Sequence, residues 1–110
     1  MVNIIKSGIG NIGSITRLLD DLEYDYNIVE KPEDFSNSNK IILPGVGNFD
    51  FFISSLKEKN LYTLIKDNVL SKNYSILGIC VGMQSLFEGS EEGKEKGFGF
   101  LKGNCKKFIP

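Results

Sequence analysis

"SILGICVGMQSLFEG", residues 75–89, decides the fold. Residues 74–80 form a short apolar run that reads as a strand, and "GMQSLFEG", residues 82–89, reads as a short helix closed by Gly89. The joint between them is Gly78-Ile79-Cys80-Val81-Gly82, a G-x-C-x-G pattern. Small residues on either side of one reactive side chain permit a sharp strand-to-helix turn that lifts that side chain above the sheet edge. A strand running into a helix in this way is a unit of parallel α/β architecture.

Working outward, the same alternation recurs. "VNIIK" (2–6), "YDYNIVE" (24–30) and "KIILPG" (40–45) read as strands, the last stopped by Pro44 and Gly45. Between them, Ile12, Ile15, Leu18, Leu19 and Leu22 recur at helical spacing and predict a helix with one core face. Phe49, Phe52, Ile53 and Leu56, then Leu61, Leu64, Ile65 and Val69, predict two more helical segments divided near Lys59 and Asn60. The tail is a loop solvated by "EEGKEK", followed by a strand over 100–108. Strands alternating with helices give a mostly parallel sheet with helices on both faces.

The 110 residues suit a single domain, since a chain of this size buries roughly two thirds of its unfolded surface. Hydrophobic content of 41% and charged content of 25% are those of a globular protein. With 13 basic against 14 acidic residues the net charge is −1, which supplies no field to draw nucleic acid. The opening residues lack the order of a signal peptide, and no apolar run could span a bilayer, so a cytoplasmic location and no membrane partner are expected. Two cysteines in dissimilar contexts suggest neither a disulfide framework nor a metal site. The sequence contains no histidine, which removes the usual general base.

Two motifs compete for the chemistry. Gly8, Gly10 and Gly13 have G-x-G-x-x-G spacing, with Glu30 twenty residues beyond Gly10, as in a dinucleotide site. Three glycines after a strand equally serve a tight turn, and a second mononucleotide half would coincide with the cysteine joint. The G-x-C-x-G pattern is the stronger. A cysteine at a helix N-terminus meets the macrodipole and unpaired N–H groups, which favour thiolate. Val81 N–H is then a natural oxyanion donor, and the loop "LPGVGN" (43–48), carrying Gly45, Val46 and Gly47, is suited to supply another. Gln84 lies one helical turn beyond Cys80 and Glu88 one turn further, in register to hold a polar substrate. Against this stands the plainer reading of Cys80 as a buried core thiol, which the flanking glycines and the matching glycine loop outweigh.

At these residues the chain resembles class I glutamine amidotransferases, most closely the glutaminase subunits of imidazole glycerol phosphate synthase in histidine biosynthesis. "GIGNIGSI" is similar to the opening turn and helix of that family, "LPGVGNF" to its oxyanion strand, and "LGICVGMQSLFEGSEEG" with "GFGFLKG" to its nucleophile region. The resemblance implies a three-layer, flavodoxin-like α/β fold whose C-terminal part is missing, so that residues 1–110 form one partial domain. It implies that Cys80 attacks the amide of glutamine. The Gly45–Gly47 backbone and Val81 would hold the oxyanion, and Gly47, Gln84 and Glu88 would bind substrate. It implies no cofactor and no metal, and a heterodimer with a (β/α)8-barrel synthase subunit that receives the ammonia. The histidine and glutamate that complete the family's triad belong to the missing part, so the short chain is expected to be nearly inactive. Other readings of the same residues are a subunit serving amination of a nucleotide or a surface-polysaccharide sugar, or a non-catalytic truncated binding module. A half-sheet left uncovered is expected to favour aggregation or dimerisation.

Overall fold

The computed structural model describes residues 1–7, 12–91 and 93–105. Four strands form one parallel sheet: β1 (Val2–Ile5), β2 (Tyr26–Val29), β3 (Lys40–Gly45) and β4 (Ser75–Cys80), in the order β2-β1-β3-β4. The helices are α1 (Gly13–Asp21), α2 (Phe49–Glu58), α3 (Tyr62–Lys72) and the single turn α4 (Val81–Gln84). Two-residue strands β5 (Gly89–Ser90) and β6 (Asn104–Cys105) pair parallel to each other. The three-layer α/β arrangement read from the sequence is the observed one.

Strand pleating sorts the side chains. Ile5, Ile41 and Leu43 point to one face, where Phe49, Phe52, Ile53 and Leu56 of α2 and Ile65 of α3 bury them completely or nearly so. Burying each of these large side chains contributes about 1.5–3 kcal/mol before entropy is subtracted, which makes this layer the core. Leu61 is also buried at the junction of α2 and α3, where Asn60 takes a left-handed φ of 60° and divides the helices where the sequence predicts.

On the opposite face, where Leu19 and Leu22 of α1 lie beside Val2, Val2 and Ile4 of β1 are buried, yet none of the residues of α1 is. The one-faced helix expected from its apolar spacing is present but overhangs. Leu19 and Leu22 instead line a groove of about 340 Å³ with Ile42 of β3 and Leu77 of the edge strand β4. Among the described residues no helix is long and apolar enough to cross a membrane.

Two sequence expectations are corrected. The helix expected over 82–89 ends at Gln84: Leu86 N–H and Phe87 N–H reach only three residues back, to Met83 O and Gln84 O, and the carbonyls that follow bond to the tail. Phe98 N–H donates to Ser85 O, Gly99 N–H to Phe87 O and Leu101 N–H to Leu86 O, at 2.7, 3.1 and 3.0 Å. The strand expected over 100–108 is limited to Asn104–Cys105 among the described residues; residues 106–108 lie outside them. Gly8 and Gly10 of the glycine pattern also lie outside the described residues, while Gly13 opens α1 and Glu30 pairs with Lys6 at 3.4 Å.

A candidate cysteine site at the sheet edge

Parallel strands deliver all their C-terminal ends to one edge, so β3 and β4 leave the sheet side by side. Their register is continuous from Lys40 opposite Ser75 to Gly45 opposite Cys80. The two glycine-rich stretches picked out by the sequence, 43–48 and 78–82, therefore emerge as neighbours.

Cys80 is the turning point. Its backbone sits at φ 57° and ψ −124°, a sparsely populated region that costs on the order of 1–3 kcal/mol for a residue with a Cβ. The chain passes directly from the last residue of β4 into α4, and the thiol-bearing residue is exposed. Both flanking glycines are required by the close approach that follows. A Cβ on Gly78 would lie 2.6 Å from Met83 Cα, and one on Gly82 would run into the Leu43 carbonyl oxygen. A Cβ on Gly45 would in turn lie 2.7 Å from Gly82 N. The end of β3 and the first turn of α4 are thus in backbone-to-backbone contact, with no side chain between them.

The turn after β3 is equally constrained. Gly47 has φ 88°, a conformation that glycine adopts without penalty, and Asn48 closes the turn by accepting a 2.8 Å hydrogen bond from Phe51 N–H. Val46 and Gly47 are exposed, whereas Gly45 is buried against Gly82 and the Phe52 ring.

The electrostatics at Cys80 differ from the sequence expectation in one respect. A helix of four residues has almost no macrodipole, but every one of its N–H groups belongs to the unpaired first turn. Local amides, including that of Val81, are what α4 presents.

Gln84 is the last residue of α4, one turn from Cys80 and half-buried. Glu88 is not one further helical turn along, since the helix has ended. It lies in the bend that follows, and its carboxylate accepts a 2.8 Å hydrogen bond from Gly103 N–H. Gly45, Val46, Gly47, Cys80, Val81 and Gln84 gather around one corner, and Glu88 flanks it through the tail.

Three further contacts support this corner; sequence reasoning missed those of Ser85 and Asp50, while Phe98 and Phe100 read from the sequence as core or turn packing, as they are. Ser85 is fully buried and its Oγ donates to Gly82 O at 2.6 Å, holding the turn beneath Cys80. Phe98 stacks between Tyr62 and Phe100, with ring centroids 4.7 and 5.1 Å away, which anchors the tail that holds the bend after α4. Asp50, in the first turn of α2, accepts hydrogen bonds from the N–H groups of Lys94 and Glu95. Those backbone donors, Lys94 first, hold its carboxyl below the usual carboxylate range. Only the Ser85 contact is local enough to have been sought in the sequence, three residues from Gly82.

Residues 3–105 match the protein family described as Glutamine amidotransferase class-I. The chain is also similar to proteins named imidazole glycerol phosphate synthase subunit HisH. It is 40% identical to that of Leptospira interrogans over 108 residues, covering 98% of this chain and 53% of the relative. It is 42% identical to the Methanococcus maripaludis HisH 2 over 108 residues, again 98% of this chain, and 54% of the relative. With the Prochlorococcus marinus subunit the identity is 44% over 105 residues, 96% of this chain and 49% of the relative. The chain spans about half the length of these curated relatives.

Proposed function

From the premise that this chain belongs to the class-I glutamine amidotransferases, we propose that it carries the nucleophile and oxyanion portion of a glutaminase that feeds imidazole glycerol phosphate synthesis in histidine biosynthesis. Cys80 attacks the side-chain amide carbon of glutamine, and the carbonyl oxygen becomes an oxyanion. The backbone of Gly45, Val46 and Gly47 and the N–H of Val81 stabilise that charge where it develops. Collapse of the intermediate releases ammonia and leaves a thioester, which water converts to glutamate. Gly47, Gln84 and Glu88 hold the amino-acid end of the substrate.

The observation that carries this reading is the register of Gly45 against Cys80, with Cys80 held at positive φ between two glycines that cannot bear side chains. A thiol at such a joint is exposed and lies beside unpaired amides, which is what nucleophilic catalysis asks of a cysteine. The sequence has no histidine, so the base that takes the thiol proton and returns it to ammonia comes from a group outside these residues. The HisH relatives are named as subunits of a synthase, which supports delivery of ammonia to a (β/α)8-barrel synthase subunit in a heterodimer. We place the protein in the cytoplasm on the same reading.

The test is alkylation of Cys80 by a glutamine-mimicking diazoketone, with free glutamine as competitor and Cys80→Ser as control. Labelling that glutamine suppresses and that Cys80→Ser abolishes is the expected result. Labelling no faster at Cys80 than at Cys105 would remove the glutaminase reading and leave a non-catalytic module.

A further inference from the structure

We infer that Asp50 is a positioning residue for the glutamine site, its carboxylate setting, through the loop of residues 93–97, the separation between the Gly45–Asn48 turn and Glu88. The inference rests on the glutaminase reading of Cys80 and adds to it a residue that no motif marks.

The connection can be followed bond by bond. α2 begins where the glycine turn ends, with Asn48 as its cap and Asp50 in its first turn. Lys94 N–H lies 2.9 Å from each Asp50 carboxylate oxygen, and Glu95 N–H is 2.7 Å from Oδ1. Charge-assisted bonds of this kind are shorter and stiffer than neutral ones. A Cβ on Gly93 would collide with Asp50 Oδ1, so the loop is packed onto the carboxylate as well as bonded to it. Seven residues along the same face of α2, Lys57 pairs with the Glu95 side chain at 2.9 Å, gripping the same loop residue a second time.

The far end of the loop reaches the substrate-binding candidate. Lys96 bridges antiparallel to Gly89, and Gly97 N–H donates to the Glu88 carbonyl at 2.9 Å. Gly93 N–H donates to Ser90 O at 3.2 Å. Asp50 is therefore joined to the backbone of Glu88 by short bonds made mostly to main-chain groups, which leave little slack. A polar groove of about 320 Å³, bordered by Glu88, Gly89, Gly93 and Lys94, lies along this path. Losing the Asp50 carboxylate frees the loop and lets Glu88 drift from Gly47, while the turn at Cys80, held by Gly78, Gly82 and Ser85, keeps its shape.

The experiment compares wild type, Asp50→Asn and Gly93→Ala in the full chain, reading two parameters of Cys80 alkylation by the diazoketone. These are the half-saturating concentration and the limiting rate. Asp50→Asn is expected to raise the half-saturating concentration about tenfold, the size of losing one charge-assisted bond, and to leave the limiting rate within about twofold. Alkylation of Cys80 by iodoacetamide, which has no glutamine moiety, stays unchanged. Gly93→Ala reaches the same contact from the loop side and is expected to give the same split. An unchanged half-saturating concentration in both variants, with glutamine-competable labelling in wild type, overturns the role of Asp50 and spares the glutaminase reading. A parallel fall in the limiting rate and in iodoacetamide reactivity reduces Asp50 to a structural residue and also overturns it. Labelling of wild type that glutamine cannot suppress removes the glutaminase reading, and this inference with it.

Discussion

The two faces of the sheet are built from the same strands and have opposite fates. On one, alternate residues of β1 and β3 meet α2 and α3, and Phe49, Phe52, Ile53, Leu56 and Ile65 are at most 1% exposed. On the other, β1 still buries Val2 and Ile4, but among the described residues the layer beyond them is not closed. There Leu22 is 66%, Leu18 58% and Leu77 57% exposed. The candidate site belongs to the first face: Gly45 rests on the Phe52 ring, and α4 lies over the ends of β3 and β4. A parallel sheet is ordinarily covered on both faces, so stability and site geometry here are concentrated in one layer.

The most direct way to break this comparison is Phe52→Ala. It removes a fully buried ring that also braces Gly45, and is expected to cost about 3–5 kcal/mol in the denaturant midpoint and to slow Cys80 labelling as the turn loosens. Next in size is Gly82→Ala. A methyl there meets the Leu43 carbonyl, which is backbone and cannot step aside, so a loss of about 3 kcal/mol or somewhat less is expected. Labelling of Cys80 should fall more steeply than stability does, because the clash lies within the turn itself. Equal falls would mean that α4 shifts as a unit and that the close approach to Gly45 is dispensable.

How much of this was legible in the sequence depends on range. The order of strands and helices, the division at Asn60 and the turn at Cys80 are written in local spacing: apolar periodicity for the first, glycines two residues either side for the last. That "LPGVG" and "LGICVG" meet follows from two parallel strands ending at one edge, though the pairing of Gly45 with Cys80 needed the register. What escaped was decided across the chain. The bend after α4 is held by hydrogen bonds from residues 98–101, and the grip on the 93–95 loop comes from Asp50, 44 residues away at Lys94. No periodicity encodes either. The exposure of α1 escaped for a different reason, since an apolar stripe predicts a side that seeks cover and says nothing of whether cover is supplied.

A smaller effect sharpens the comparison by pH. The folded-state value of Asp50 is depressed by the Lys94 and Glu95 amides, so its contribution to stability is complete above the unfolded value and lost as the pH falls through the folded one. Wild type is expected to be more stable than Asp50→Asn near neutrality. The two should converge as the pH drops below about 4, followed by denaturant titration at successive pH values. A difference that is independent of pH would show that the shape of the side chain, and not its charge, holds the loop.

The smallest expected effect tests the open face itself. Leu77 stands on the edge strand β4, more than half exposed, and borders the groove beneath α1. Leu77→Lys places a charge on an edge that otherwise carries none between Ser75 and Cys80, the usual protection against edge-to-edge pairing. If this face is bare in solution, the substitution should alter stability by no more than about 0.5 kcal/mol, the ordinary range for surface changes. It should also lower any tendency to self-associate in sedimentation. A loss comparable to that of Phe52→Ala would reverse the contrast between the faces. Leu77 would then be buried in solution against another surface, and the stability attributed to one layer would have to be shared between two.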